Sequence, residues 1–349
     1  MAEGLKNREH KVVVFCQKAD PELSKSFETH LMPYFFEKPR WLNSLIYAIS
    51  SHFAISRRSV DIIYSHERTY SFDVLVAHCP CFISKWAEKK GPKALLHHLA
   101  TFFSPRQLAY KWLERKQFHP HPNRKILAVS NWVKRDIKKC YPQGTNNIDL
   151  CPPGVHLPPR PCQPPQEQFN VLFVGTEFRR KGLDAALHGF AKANIPHSRM
   201  RIAGGGKPET YLKLCEKLDI LDKVDFLGVV SHVDSLYQES HVFLLPTLLE
   251  PFGMAPLEAM SYGLPIIISS RRFSGFAESL NPDDALILDD PLNSDKIAHH
   301  LNSLTNAEQW KKLSSQSLKV AESMTWEHSI QKTEEVLTNI YQKKPPYEP

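Results

Sequence analysis

Two glutamates flank a helix start in "LLEPFGMAPLEAMSYGLPIII", Leu248 to Ile268, with seven residues between Glu250 and Glu258. A helix beginning near Met254 to Pro256 would turn its free N–H groups toward the preceding strand end, where they favour an anion. Glu258, about a turn inside that helix, is explained by the helix dipole alone. Glu250, beside Phe252-Gly253, is not. A second stretch, "VGTEFRRKGLDAAL" (174–187), ends a strand at Gly175 and starts a helix near Gly182, placing Arg180 and Lys181 beside backbone N–H donors. A planar guanidinium and a compact ammonium there suit a diphosphate, and a solvated basic loop is the competing reading. A third, "RIAGGGKPE", carries Gly204 to Gly206 between a strand and a helix, either to admit a ligand to the backbone or as a plain turn.

Carboxylates accept hydrogen bonds from hydroxyl pairs. A nucleotide sugar offers two sets, the ribose diol and the hexose hydroxyls, with phosphate between them for Lys181 and the helix N–H groups. No G-x-x-x-x-G-K-[ST] occurs, which excludes a P-loop, and the triple glycine does not fit G-x-G-x-x-G.

The elements that must hold these residues alternate regularly. "NVLFVG" (170–175), "RMRIAGG" (199–205), "VDFLG" (224–228), "VFLLP" (242–246), "PIIIS" (265–269) and "ALILDD" (285–290) read as strands. "GLDAALHGFAKAN", "PETYLKLCEKLDI" and "APLEAMSYG" read as helices between them. Such α/β alternation predicts a parallel sheet covered on both faces, with ligands at the carboxyl ends of its strands. The first half is less regular. "HKVVVFC" (10–16), "VDIIYSH" (60–66), "FDVLVAH" (72–78) and "KILAVS" (125–130) are expected strands, and 39–56 and 93–118 expected helices. Prolines crowd "CPPGVHLPPRPCQPP" (151–165), a semi-rigid connector. The expected domains are 1–150, a linker 151–168, a second domain 169–324 and a closing helix 325–349.

A chain of 349 residues is long enough for two cores, and 42% hydrophobic with 23% charged residues is a globular composition. No apolar run reaches the ~20 residues of a membrane span. Seven scattered cysteines suit free thiols in a reducing cytoplasm, with no His/Cys cluster at metal-ligand spacing. Residues 1–165 hold 25 Lys+Arg against 13 Asp+Glu, and the remainder 19 against 24, so the basic first half is expected to meet an anionic partner. Residues 81–118 interleave eight cations with Trp86, Phe102, Phe103, Tyr110 and Trp112, in the manner of a helix lying on an anionic membrane or an amphipathic helix facing a core. No nucleic-acid-binding module is recognisable.

With both motifs in hand, the chain resembles the retaining glycosyltransferases of family four, which have the GT-B fold: two Rossmann-like parallel-sheet domains facing a central cleft. The resemblance covers most of the chain. It includes "LCPPGV" (150–155), "AVSNWVKRDI" (128–137) and the closing "TWEHSIQKTEEVLTNIYQ" that crosses back to the first domain. "SHERTYSFDVLVAHCPCFISKWAEKKG" and "VGTEFRRKG" are most similar to lipopolysaccharide core glucosyltransferases. The resemblance implies that Gly175, Arg180, Lys181 and Gly204 meet the donor diphosphate. It implies that Glu258 binds ribose, and that Glu250 with the backbone of Phe252, Gly253 and Met254 binds the transferred sugar. It makes Lys181, Glu250 and His78 the catalytic candidates, with no metal and no cofactor, the donor itself being UDP-glucose. It further implies a lipopolysaccharide-core or glycolipid acceptor, and a cytoplasmic enzyme peripheral to the inner membrane through residues 81–118.

Departures are visible. Thr176 stands where relatives have an arginine, leaving Arg179 or Arg180 as the substitute. "LKNREHKVVVFC" resembles the turn and second strand of the family, so the first strand and its glycine loop are expected to be missing. Two other functions therefore stand beside the main one: a non-catalytic nucleotide-sugar-binding protein with a degenerate first domain, and a GT-B enzyme with a soluble acceptor.

Overall fold

A computed structural model describes residues 1–83, 104–158 and 161–344. The chain divides into two units, Met1–Pro152 with the chain from Ser329 onward, and Pro153–His328. The division falls within the proline-dense segment, where fixed φ angles and missing donors prevent a helix or central strand from continuing.

In chain order the first unit contains α1 (Ala2–Asn7), β1 (Val13–Cys16), α2 (Pro21–Ser26), β2 (Glu28–Leu31), α3 (Arg40–Ser56) and β3 (Tyr64–Ser65). It continues with β4 (Val74–Ala77), α4 (Pro105–Gln117), β5 (Lys125–Ala128), α5 (Asn131–Cys140) and β6 (Ile148–Leu150). All strand pairs are parallel, but they form two sheets: β1-β2, and β3-β4-β5-β6. Strands β2 ("ETHL") and β6 ("IDL") escaped the sequence reading because each offers too few apolar residues to declare a period. "KVVVFC" forms β1, which follows α1 and pairs with β2 in register Val13 to Glu28.

The described part of the predicted helix 93–118 begins at Pro105, where fixed φ suits the first helical turn. Tyr110 and Leu113 of α4 enter a core with Ala48 and Phe82, which removes Tyr110 from the expected membrane set. Trp112 and Leu108 of the same helix are exposed. Trp86, Phe102 and Phe103 lie outside the described residues.

The second unit contains β7 (Phe169–Val174), α6 (Leu183–Ala193), β8 (Ser198–Ala203), α7 (Glu209–Lys217), β9 (Val224–Gly228), α8 (Asp234–Gln238) and β10 (Val242–Leu245). It ends with α9 (Met254–Ser261), β11 (Ile266–Ser269), β12 (Leu286–Leu288), α10 (Ser294–Ser303) and α11 (Ala307–Ser323). Its six strands form one parallel sheet in the order β12-β11-β10-β7-β8-β9. The chain starts in the middle, winds outward one way, then returns to wind outward the other way. The strand order therefore reverses between β7 and β10, the point where such sheets open a crevice at their carboxyl ends. Leu172, Phe173, Phe243, Leu244 and Ile267 are fully buried, because a sheet covered on both faces has no solvent side to spare.

The last helix, α12 (Trp326–Lys343), starts in the second unit and from Ser329 belongs to the first. Val155 bridges Thr325 just before it, and a Cβ at Gly154 would come within 2.2 Å of the Thr325 backbone. That close approach gives "PPGV" its glycine. Onward, Cys151 Sγ lies 3.5 Å from Thr333 Oγ1, and Lys344 Nζ lies 2.9 Å from Asp73 Oδ2.

Candidate functional site

The loops after β7 and β10 meet at the switch point. After β7 the chain folds into a tight turn, with the Lys181 amide donating to Glu177 O at 2.9 Å and the Leu183 amide to Phe178 O at 3.0 Å. Gly182 closes it at φ 78°, and an added Cβ would sit 1.9 Å from Pro246 O. No residue other than glycine fits there. The Arg180 carbonyl accepts the Leu248 amide at 2.8 Å and Thr247 Oγ1 at 3.2 Å, tying the two loops together.

On that frame Lys181 Nζ donates to the Glu250 carboxylate, both side chains being largely buried. The Glu250 backbone is held by a third segment: its amide donates to Phe273 O at 2.8 Å, and its carbonyl accepts from the Gly275 amide at 2.8 Å. Arg180 spans the loop. Its Nε donates to Glu177 Oε2 at 2.6 Å, its Nη1 donates to Leu249 O, and it lies 3.9 Å from Glu250. Glu177 was not among the expected residues, although its spacing three before Arg180 could have suggested the pair.

Gly253, φ 98°, is the cap residue just before helix α9, and no side chain caps the helix start. Its first amides therefore lack intrahelical partners at the switch point. Phe252 is buried against Phe276 at 5.6 Å between ring centroids, so only its backbone is available to a ligand. Met254 is the first helical residue and half-buried. One turn on, Glu258 Oε2 accepts from the Tyr237 hydroxyl at 2.9 Å. Tyr237 stacks on Tyr262 at 5.3 Å, and the Tyr262 hydroxyl donates to Asp234. Burial pushes the Tyr237 hydroxyl far above its usual range, so it stays a donor to Glu258. No sequence spacing pointed to Tyr237.

The first residue of the triple glycine is explained by backbone packing. Gly204 has φ 148°, and a Cβ there would lie 1.8 Å from Gly175 O, so the strand ends of β7 and β8 touch. Beside Arg180 lies an open depression of about 690 Å³ lined by Thr176, Phe178, Arg179, Lys207, Tyr211 and Leu248. Arg179 and Arg180, the two expected substitutes for the missing arginine, both line this depression, and Arg180 is also engaged within the loop.

In the first unit His78 closes β4, and its Nε2 lies 2.9 Å from Nδ1 of His66, at the end of β3. The rings stack at 5.1 Å and 17°. Desolvation holds both imidazoles below their ordinary range, His66 at about 4 with His78 as a further cause. His66 was not foreseen, since it stands twelve positions before His78 and no helical or strand period links them.

All seven cysteines are free. One grouping that sequence spacing hid brings donor atoms of Cys81, Asp136 and Cys140 within 4.8 Å of one another. Asp136 there accepts the Cys81 amide at 2.7 Å. No helix among the described residues is long and apolar enough to cross a membrane.

Two family models match the chain in tandem. Residues 1–157 match Glycosyltransferase Family 4, and residues 160–320 match Glycosyl transferases group 1. The chain belongs to these GT-B glycosyltransferases. It is 26% identical over 291 residues to the lipopolysaccharide glucosyltransferase WaaG of Escherichia coli K12, covering 77% of this chain and 75% of that one. Among solved structures it is similar to WaaG, a glycosyltransferase involved in lipopolysaccharide biosynthesis. The TM-score is 0.80 at 23% identity, over 97% of this chain and 94% of that one. It is also similar to a sucrose-phosphate synthase from Thermosynechococcus elongatus, with TM-score 0.78 at 18% identity, over 98% and 92%.

Proposed function

We propose that the chain is a retaining, metal-independent hexosyltransferase that moves glucose from UDP-glucose onto a lipopolysaccharide-core sugar or a related glycolipid. The observation that carries this reading is the largely buried Lys181–Glu250 pair beside an uncapped helix start, where the second sheet reverses its strand order. A diphosphate arriving there gives Lys181 a new anionic partner. Glu250 is then released to accept hexose hydroxyls, with the first amides of α9 beside it. Lys181 would meet the charge that develops on the departing diphosphate, and Arg180 would hold the loop that carries it. Glu258, oriented by Tyr237, would accept the ribose hydroxyls.

In this reading the acceptor hydroxyl attacks the anomeric carbon on the face the diphosphate leaves, and its proton passes to a phosphate oxygen of the leaving group. His78 would face the transferred sugar. The lipopolysaccharide acceptor rests on the likeness to WaaG. The peripheral, cytoplasmic inner-membrane location rests on the basic stretch 81–118, whose apolar Leu108 and Trp112 are exposed.

Calorimetry with UDP-glucose, paired with transfer to a heptose-terminated core lipid, tests the reading. Glu250→Ala and Lys181→Ala are expected to abolish transfer while the chain stays folded. Turnover retained in both variants rejects the roles. Donor binding by the unaltered chain with neither transfer nor donor hydrolysis would make it a binding protein instead.

A further inference from the structure

The cluster of Cys81, Asp136 and Cys140 lies wholly within the first unit and shares no residue with the site described above. Cys81 stands in the chain just after β4, while Asp136 and Cys140 are four positions apart on α5 and so share a helix face. One sulfur or carboxylate oxygen from each lies within 4.8 Å of the other two. A tetrahedral zinc ion, with bonds of about 2.3 Å to sulfur and about 2.0 Å to oxygen, sets its ligand atoms about 3.5 to 3.8 Å apart. A side-chain adjustment of about 1 Å closes the difference.

The surroundings hold these groups in place. The Cys81 amide donates to Asp136 Oδ2 at 2.7 Å, the kind of outer hydrogen bond that aims a ligating carboxylate, which keeps further lone pairs for an ion. Glu114 of α4 is buried and accepts from the Phe82 amide and, at 3.2 Å, from the Tyr141 hydroxyl, so it fixes the residue after each cysteine. Burial raises both thiols, and the charges of Glu114 and Asp136 raise them further, with Lys139 opposing at Cys140. The field is that of a site for a cation. Cys81 is buried, but Asp136 and Cys140 are half-buried and give an ion a way in.

We propose that Cys81, Asp136 and Cys140 bind one Zn²⁺ ion, with a fourth position left for water. Two thiolates favour zinc over magnesium or calcium, and the thiol protons leave to solvent as the ion binds. The ion takes no part in sugar transfer. It pins the chain after β4 to the last turn of α5 and so braces the first unit.

Cobalt and zinc titrations of the full chain, reduced, stripped of metal with a chelator and kept under argon, test the site. One equivalent of Co²⁺ should produce a thiolate-to-cobalt charge-transfer band with tetrahedral d–d bands, and Zn²⁺ should abolish both. Competition with a chromophoric chelator should show zinc affinity about 100-fold weaker or more in Cys140→Ser, and about tenfold weaker in Asp136→Asn. Cys140 is the cysteine to change first, because Cys81 is buried and its loss endangers folding. Cys79→Ser, which removes an exposed thiol outside the cluster, should bind as the unaltered chain does. Zinc at about 100 times its Kd should raise the unfolding midpoint by about 5 °C, and should leave that of Cys140→Ser unmoved. Absence of the charge-transfer band at one equivalent overturns the proposal, as does equal loss of affinity in Cys79→Ser and Cys140→Ser. A Cys81–Cys140 disulfide that re-forms in air with zinc present would also overturn it, making the pair a redox couple.

Discussion

The two units use their charges differently. In the second, Lys181 and Glu250 pair at the one place where the sheet leaves a crevice, while the sheet itself is held by strands such as β7 and β10 that are almost wholly buried. In the first, polar contacts fasten structure: ion pairs of Arg8 with Glu334 and Lys344 with Asp73, and a hydrogen bond of His10 to Glu334, all between the body of the unit and the last helix or its end. Its strands are short, two to four residues, and divided between two sheets. Where apolar burial is generous, pairs such as Arg199 with Asp225 brace neighbouring strands, and Lys181 with Glu250 is left for chemistry. Where strands are short, charge helps to hold a helix that arrives from the far end of the chain.

The strongest test of that contrast is Lys181→Ala. Loss of a preorganised cation facing a developing oxyanion is expected to lower transfer about 10³-fold. The unfolding midpoint should barely move, because Arg180 at 3.9 Å remains to compensate Glu250. A large fall in stability would make the pair a structural one, like those of the first unit.

The next effect concerns the cores. Leu127 on β5 and Leu244 on β10 are both fully buried, one in each unit. Truncation of either to alanine should cost about 3 kcal/mol. Hydrogen exchange should show protection lost from β4–β6 in Leu127→Ala and from β7–β12 in Leu244→Ala. Equal loss throughout the chain in either variant would mean that the units do not unfold by their own cores.

These differences track what the sequence made legible. The second unit was readable because each strand is an unbroken apolar run, the signature of a sheet covered on both faces. Both loop motifs then fell at strand ends. The first unit was harder, since "ETHL" and "IDL" are strands by partnership, not by pattern. The site divides in the same way. Lys181 and Glu250 stood out by type beside glycine and a helix start. Tyr237, Glu177 and His66 act through contacts that only the folded sheet creates, and Gly204 serves the Gly175 carbonyl behind it.

Tyr237→Phe sharpens the contrast inside the second unit. The hydroxyl lost is a single bond to Glu258, so the donor KM should rise by about fivefold to tenfold with kcat nearly unchanged. A fall in kcat alone would place Glu258 away from donor binding.

The smallest effect belongs to the first unit. His10 and then Arg8, through their hydrogen bonds, hold the Glu334 carboxyl below its ordinary 4.5. A carboxyl depressed in the folded state binds fewer protons than in the unfolded chain, so its contribution is present above about pH 4.5 and is lost as pH falls through the folded value. Glu334→Gln should therefore lower first-unit stability modestly at pH 7 and flatten its decline below about pH 4.5. Urea midpoints for the two proteins, followed by hydrogen exchange in α1 and α12, should converge toward about pH 3. Curves that stay parallel to that pH would show that the contact holds α12 by shape, with the charge of Glu334 contributing nothing.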